Sequence, residues 1–179
     1  MIVRSAGPED AAAVAAIYGH HVLNSLGTFE EIPPSDAEIG GRIAGVLQLG
    51  LPYLVALDGG DRVIGFAYAS PFRPRTAYRF AAEDSVYIDP DYIGRGVGRL
   101  LLSQVIDTCE AMGLRQLLAV VGDSGNAASI GLHRSLGFQE TGIGRAVGFK
   151  HGRWVDIVTM QRRLNAGSTT PPQGPGLAL

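Results

Sequence analysis

The sequence predicts a mixed α/β fold in which helices cover both faces of one sheet. Helix and strand patterns follow one another in the order β-α-α-β-β-β-α-β-α-β-β. The 179 residues suit one domain, and 46% apolar with only 18% charged residues supply a real core and exclude a wholly disordered chain. A net charge of -2 argues against nucleic-acid binding by bulk charge, and the apolar runs are too short to span a membrane.

The first half of the chain carries two helix patterns and three strand patterns. Pro8 and the alanine-rich run after it predict a helix over residues 8–24. Ser35 and Glu38 form a capping-box pattern that starts a second helix, which runs to about residue 48. Strands are predicted at 1–5, 53–57 and 63–69, the last two joined by a turn at residues 58–61.

The second half alternates between the two element types. A compact β-prone segment covers 85–88, and an apolar face of Leu101, Val105, Cys109 and Met112 predicts a helix over 98–112. The remaining predictions are a buried strand at 117–121, a helix at 126–136 and strands at 138–148 and 153–163. From Asn165 the chain is rich in Pro and Gly, so we expect one domain over 1–164 and a flexible tail over 165–179.

The most informative segment is a glycine-rich turn. Gly94, Gly96 and Gly98 lie between the 85–88 strand and the following helix. Their backbone N–H groups and the first turn of the helix predict an anion site, to which Arg95 and Arg99 add positive charge. The Gly-x-Gly-x-Gly spacing is neither a Walker loop nor the dinucleotide fingerprint, which favours another kind of pyrophosphate binder. An ordinary flexible turn is the plain alternative.

This strand, turn and helix resemble the acetyl-CoA site of the GNAT N-acetyltransferases. A second motif of that family falls where it is needed, at Asn126, Ser129, His133 and Gly137–Phe138. Residues 83–88, the histidine at 133 in place of tyrosine, and residues 148–154 narrow the resemblance to the phosphinothricin and methionine sulfoximine acetyltransferases, over residues 2–163. The resemblance implies a mostly antiparallel mixed sheet splayed between its fourth and fifth strands. Ile93 departs from the family, which usually has Gln or Arg there.

The resemblance also implies the chemistry, which is acetyl transfer from acetyl-CoA to an amine. A base must take the amine proton, and Glu83 is the candidate, with a solvated loop acid as the alternative. His133 is expected to assist proton transfer, or else to be a satisfied structural histidine. Asn126 is either a cofactor contact or simply a helix cap, and these two roles are compatible.

The remaining site residues are likewise implied by the family. The expected cofactor contacts are Val86, Tyr87, Ile88, Gly94, Arg95, Gly96, Val97, Gly98, Arg99, Asn126 and Ser129. The expected acceptor pocket comprises Phe29, Arg73, Arg75, Tyr78, Glu83, Asp84 and Ser85, in which arginine suits an amino-acid carboxylate. Phe149 and Trp154 are expected in the core or at a dimer contact, while His20 and His21 are expected on the helix surface.

Three hypotheses follow for the function. The first is acetylation of the α-amino group of a small amino acid or analogue, and the second is the same fold acting on another amine, such as a protein N-terminus. The third is a CoA-binding module without catalysis, against which the presence of both Glu83 and His133 counts. The resemblance also implies a homodimer. One cysteine permits no internal disulfide and no cysteine-rich metal site, so we expect a cytoplasmic protein with no metal.

Overall fold

A computed structural model describes all residues, 1–179, and contains one seven-stranded sheet and four α-helices. The strands are β1 (Ile2–Ser5), β2 (Tyr53–Leu57), β3 (Val63–Pro71), β4 (Ala81–Ile88), β5 (Gln116–Gly122), β6 (Gln139–Lys150) and β7 (Arg153–Arg163). The helices are α1 (Ala11–Asn24), α2 (Asp36–Gln48), α3 (Val97–Ala111) and α4 (Ala127–Ser135).

The sheet is splayed near its middle. Its strand order is β1-β2-β3-β4-β5-β7-β6, and every neighbouring pair is antiparallel except β4 with β5. The parallel pairing joins residues 81–84 to residues 116–119 and then stops, although β4 continues to Ile88 and β5 to Gly122. The mostly antiparallel sheet, splayed between the fourth and fifth strands, is therefore confirmed.

Helices cover both faces of the sheet, as expected. One core cluster places the apolar face of α3, including Leu101 and Val105, against β3, β4, β5 and β7. The other places Val14 and Tyr18 of α1 and Ile39 of α2 against the opposite face of β2 and β3. The sheet therefore has a separate core on each face.

Several predicted boundaries shift by one or two residues, and three differences affect the site, a helix start or the core. The fourth strand begins at Ala81 rather than residue 85, so Glu83 lies within the strand, because Ala82–Asp84 pair with strands on both sides. A short 3-10 turn occupies Pro8–Asp10 before α1, where the Asp10 carboxylate accepts the Gly7 N–H (2.8 Å). Met112 lies beyond the end of α3 and is 36% exposed, so it does not extend the core face.

The capping box of α2 is present as predicted. Ser35 Oγ accepts the Glu38 N–H at 3.3 Å, and the Glu38 carboxylate accepts the Ser35 N–H at 2.7 Å. These reciprocal bonds satisfy two backbone donors that would otherwise lack partners. The start of α2 is therefore set by local sequence.

The C-terminal segment contains no helix or strand but contacts the domain. The Leu177 side chain joins the larger core cluster, and its N–H donates to the Arg79 carbonyl (2.8 Å). Arg115 donates to the carbonyl oxygens of Gly167 (2.7 Å) and Thr170 (2.6 Å). The division at residue 164 and the flexibility of the tail stay predictions. None of the helices has the length and apolar character needed to cross a membrane.

Candidate active site

A cavity of about 730 Å³ opens where β4 and β5 diverge. The unpaired backbone of β4 forms one wall, and α3, α4 and the end of β5 form the others. Both sequence motifs therefore meet at one cavity. Of the predicted site residues, those that line it are Asp84, Ser85, Val86, Tyr87, Ile88, Gly94, Gly96, Val97, Gly98, Arg99, Asn126, Ser129 and His133.

The glycine-rich turn leads directly into the N-terminus of α3. Gly94 and Gly96 have φ of 77° and 83°, a left-handed conformation that glycine adopts at no steric cost. The first hydrogen bond at the start of α3 runs from the Leu100 N–H to the Gly96 carbonyl (3.1 Å). The N–H groups of residues 97–99 therefore lack helical partners and can bind an anion at the cavity wall.

Two side-chain contacts hold the approach to this turn. The Tyr92 hydroxyl donates to Asp58 (2.9 Å), and Arg62 donates to the buried Asp89 (2.6 Å). The Arg95 guanidinium lies over the Tyr92 ring, 5.0 Å from its centroid, and does not line the cavity. Of the two arginines predicted here, only Arg99 forms part of the cavity wall. Ile93 also lines the cavity and is 60% exposed.

Asn126 caps α4. Its side-chain oxygen accepts the Ser129 N–H (3.1 Å), and its amide nitrogen donates to the Gly122 carbonyl (3.4 Å). The helix-cap role considered from the sequence is therefore confirmed. Since Asn126 and Ser129 also line the cavity, the cap leaves a contact with a ligand possible.

Asp84 and His133 form a buried pair between β4 and α4. His133 Nε2 lies 2.9 Å from Asp84 Oδ2, and its Nδ1 donates to the Ser129 carbonyl (2.8 Å). Burial lowers the pKa of His133, but the hydrogen bond and charge of Asp84 outweigh it and leave the pKa raised. Burial likewise raises the pKa of Asp84, against the influence of His133. The pair consequently retains a proton to a higher pH than its free groups do.

Glu83 points to the opposite face of the sheet from Asp84, because successive side chains of a strand alternate. Glu83 shares its face with Tyr87, whose ring packs 4.9 Å from that of Tyr18 on α1. Burial raises the pKa of Glu83, Arg73 opposes that shift, and Asp84 adds to it. Glu83 is half-buried and does not itself line the cavity at the splayed strands.

The predicted acceptor residues outside β4 lie on exposed loops and do not line this cavity. Phe29 is 40% exposed and its ring packs on Gly148, where a Cβ would lie 2.0 Å from a ring carbon. Tyr78 is 42% exposed, and Arg73 and Arg75 are exposed too. The only link between these residues and the candidate base is the charge of Arg73, which acts to lower the pKa of Glu83.

Sequence reasoning missed the end of α1 as part of the cavity. His21, expected on the surface, is partly buried there and donates from Nε2 to the Ile88 carbonyl (2.8 Å). Leu26 and Gly27 also line the cavity, and Gly122 approaches them so closely that a Cβ would lie 2.2 Å from the Leu26 carbonyl oxygen. The only local signal was the glycine at 122. A glycine is needed there because of a loop about a hundred residues earlier in the chain, which the sequence does not reveal.

Two further expectations concern the surface and metals. Trp154 and Phe149 are 66% and 57% exposed, so the expectation that they lie in the core is wrong, and a dimer contact stays a prediction. Their rings contact each other edge to face on the hairpin of β6 and β7. No group of three or more His, Cys, Asp or Glu side chains could hold a metal ion.

Comparison with known proteins agrees with this architecture. The model of the acetyltransferase (GNAT) family matches residues 28–138, and the chain belongs to this family. More narrowly, the chain is an N-acetyltransferase. It is 56% identical over 171 residues to phosphinothricin N-acetyltransferase of Alcaligenes faecalis, covering 96% of this chain and 86% of that protein.

Two more relatives support the same assignment. A methionine sulfoximine/methionine sulfone acetyltransferase of Pseudomonas paraeruginosa is 38% identical over 94% of this chain and 98% of its own length. The crystal structure of a GNAT superfamily phosphinothricin acetyltransferase from Sinorhizobium meliloti, in complex with AcCoA, superposes with a TM-score of 0.94. That protein is 47% identical, and the match covers 98% of this chain and 94% of that one.

Proposed function

We propose that the protein transfers acetyl from acetyl-CoA to the α-amino group of a small amino acid or analogue of the phosphinothricin, methionine sulfoximine or methionine sulfone type. The observation that carries this is the cavity at the splayed strands, bounded by a glycine-rich anion site and adjoining a half-buried carboxyl on β4. The named activities of the relatives and the AcCoA in the related crystal structure supply the acceptor type and the co-substrate.

The proposed orientation of acetyl-CoA follows from the walls of the cavity. Its pyrophosphate is placed at the N–H groups of residues 97–99, with Arg99 beside it. The pantetheine arm then runs along Val86–Ile88, whose backbone has no partner on the β5 side and can pair with the arm like an added strand. Asn126 and Ser129 form the other wall, and the thioester comes to lie where the strands separate.

Glu83 is the proposed general base. An α-amine is protonated at neutral pH and attacks only after losing a proton, which the Glu83 carboxylate takes. The amine lone pair then forms the N–C bond to the thioester carbonyl carbon, and the C–S bond breaks to release the CoA thiolate. A backbone N–H of residues 86–88 donates to the carbonyl oxygen as negative charge develops there. The raised pKa of Glu83 makes it a better proton acceptor than an exposed glutamate.

His133 is proposed to assist the return of a proton to the thiolate. It lies in the cavity wall, and its contact with Asp84 favours the protonated ring. Both ring nitrogens already have partners, so a proton must leave through a rearrangement of these bonds, and the Ser129 hydroxyl, 3.4 Å from Nδ1, offers a path. Asp84 itself is buried against His133, which makes it a positioning residue rather than an acceptor contact.

Arg73 and Arg75 are proposed to bind the acceptor carboxylate, with Phe29 and Tyr78 beside them. The charge of Arg73 opposes the rise in the pKa of Glu83, which supports a carboxylate site beside the candidate base. Both guanidiniums are exposed and neither forms a salt bridge within the chain.

A homodimer and a cytoplasmic location complete the proposal. Val147, Phe149 and Trp154 expose 57%, 57% and 66% of their surfaces on the hairpin of β6 and β7. Exposed apolar side chains grouped in this way are typical of an interaction surface. Sedimentation of the wild type and of Trp154→Asp would distinguish a dimer held by this hairpin from a monomer.

A thiol-release assay with acetyl-CoA tests the activity. The acceptors are phosphinothricin, methionine sulfoximine, methionine sulfone and the common amino acids. Glu83→Gln should lower kcat/KM about 10²- to 10⁴-fold, the usual contribution of a general base, without changing the Kd for acetyl-CoA. Asp107→Asn, at an exposed acid on α3, is the matched control. Undiminished turnover of Glu83→Gln would refute the base assignment, and no turnover of any amino acid would leave another amine or a non-catalytic module.

A further inference from the structure

A second cavity, of about 450 Å³, lies between α2 and the sheet and has no part in the mechanism above. Apolar walls come from Ile39 and Val46 of α2 and Phe66 of β3. Three hydroxyl-bearing residues of the sheet also line it, namely Tyr53, Tyr68 and Ser70. A mostly apolar cavity with a few convergent polar groups is the usual form of a small-molecule site.

This cavity adjoins the candidate base through the pairing of β3 with β4. Ser70 pairs with Glu83 and Tyr68 pairs with Ser85, and partners in an antiparallel pair share a face with Cβ atoms about 5 Å apart. Ser85 lines the cofactor cavity, whereas Tyr68 lines the second one. The two cavities are therefore separated by a single strand pairing, and Glu83 lies next to that pairing.

Two of the hydroxyl groups at the cavity are free to bind. Neither the Tyr53 hydroxyl nor the Ser70 hydroxyl has a hydrogen-bond partner in the protein, and Tyr53 is only 2% exposed. Burial raises the pKa of both Tyr53 and Tyr68, so these phenols stay protonated and can donate. Tyr53 stacks on Tyr68 at 4.8 Å, which holds the two hydroxyl-bearing rings in parallel.

Arg42 at the same cavity is already paired. Its guanidinium donates twice to the Glu30 carboxylate, at 2.7 Å and 3.1 Å. Glu30 offsets the positive charge of Arg42, so the hydrogen-bond donors that the cavity offers are mainly the neutral hydroxyl groups. Neutral hydroxyl donors suit the oxygens of a group that has several acceptors around one tetrahedral atom.

We propose that this second cavity receives the side chain of the acceptor amino acid, and that its hydroxyls bind a tetrahedral oxo group at the end of that side chain. The inference rests on the proposed function, because it places the acceptor amine at Glu83. A sulfone, a sulfoximine and a phosphinate share the required oxygens, whereas methionine has the same chain length without them. Tyr53 and Ser70 are thereby assigned as specificity residues.

A cavity-filling variant tests the location. Gly45 lines the cavity from α2, and a Cβ built there meets no atom within 4 Å, so the backbone accepts a side chain and the rest of the leucine in Gly45→Leu adds bulk at the cavity. Gly41→Leu is the matched control, because Gly41 lies on the same helix, is exposed, has no atom within 4 Å of a Cβ, and does not line the cavity. Gly45→Leu should raise the KM for methionine sulfone at least tenfold and leave the Kd for acetyl-CoA unchanged, while Gly41→Leu should match the wild type.

A hydroxyl-deletion variant tests the chemistry. Tyr53→Phe keeps the stacked ring and should lower kcat/KM for methionine sulfone and for phosphinothricin about tenfold, the effect of one lost hydrogen bond, with methionine unaffected. A lower kcat/KM for only one of these two acceptors still supports the site, and it identifies the oxo group that the site binds. Thermal unfolding and circular dichroism of each variant verify that it is folded.

The outcomes separate the two proposals. If the wild type acetylates these amino acids and Gly45→Leu behaves as Gly41→Leu does, the second cavity is not the side-chain site and the proposed function stands. If Tyr53→Phe affects methionine as strongly as the oxo compounds, recognition of oxygens is wrong. If the wild type acetylates no amino acid, the proposed function fails and this inference with it.

Discussion

The buried Asp84–His133 pair makes the most quantitative prediction, through Asp84→Asn. The carboxyl side chain is 0% exposed, the imidazole 4% exposed, and their N–O distance is 2.9 Å. Asparagine has the same shape, so no cavity forms. The variant loses the charge assistance of a hydrogen bond that is worth about 1.5–3 kcal/mol. It also buries amide hydrogens at the position of Asp84 Oδ1, an atom that has no partner, and leaving such a donor unpaired costs about 1–3 kcal/mol. We expect a loss of about 2–4 kcal/mol in the free energy of unfolding near pH 6.

The pH dependence of this loss has a definite sign. Both partners have raised pKa values in the folded protein, so the stability that their proton contributes is fully present below the ordinary pKa of histidine. It disappears as the pH rises through the higher folded value. Asp84→Asn has no carboxylate to leave buried at high pH, so the difference between the wild type and the variant should shrink from pH 6 to pH 9.

Urea unfolding at both pH values measures the difference, with Asp107→Asn as an exposed control that should unfold like the wild type. By thermal unfolding near pH 6, Asp84→Asn should lower Tm by on the order of 10 °C, given about 2–4 °C per kcal/mol for a domain of this size. A difference below about 1 kcal/mol, or one that grows towards pH 9, would refute the assignment of a proton held by this pair.

Four other perturbations follow from the site and the tail. Arg73→Gln should move the acidic limb of the kcat/KM profile to higher pH, because Arg73 opposes the burial that raises the pKa of Glu83; a limb that stays in place contradicts this. Ile93→Arg, at a 60% exposed position in the cavity wall, should lower the Kd for acetyl-CoA several-fold in dilute buffer and lose that gain in high salt. Gly96→Ala should cost about 1–2 kcal/mol of stability from φ alone, since a Cβ there meets no atom within 4 Å, and it should weaken acetyl-CoA binding in a calorimetric titration. Leu177→Ala should destabilise the domain in urea by about 2–3 kcal/mol, the low end for a buried leucine, whereas an unchanged midpoint would favour a loosely attached tail.

Much of the fold was predictable because its signals are local. The capping box at Ser35 and Glu38 and the left-handed glycines of the turn depend on residues within a few positions of one another. The start of β4 was not predictable in this way. Residues 81–84 have no distinctive strand pattern, and they are extended because β5 pairs with all four and β3 pairs with 82–84.

The same distinction between local and long-range signals applies to the candidate site. The glycine-rich turn and the Asn126 motif identified the cofactor cavity, and the family resemblance identified Glu83 and His133 as candidates. His21, however, joins the cavity only because α1 packs beside the end of β4, where its ring reaches the Ile88 carbonyl. A histidine near a helix end carries no such information in the sequence.

By itself, therefore, the sequence determined the elements, the anion-binding turn and the family, since each follows from residues close together in the chain. Tertiary structure alone decided that β4 leaves β5 after Asp84, that His133, 49 residues later, meets that carboxyl, and that a second cavity adjoins Glu83. These features require strands and helices far apart in sequence to pack against one another. Alternation along β4 then turns Glu83 towards one face and Asp84 towards the other, and so gives two adjacent acids different partners.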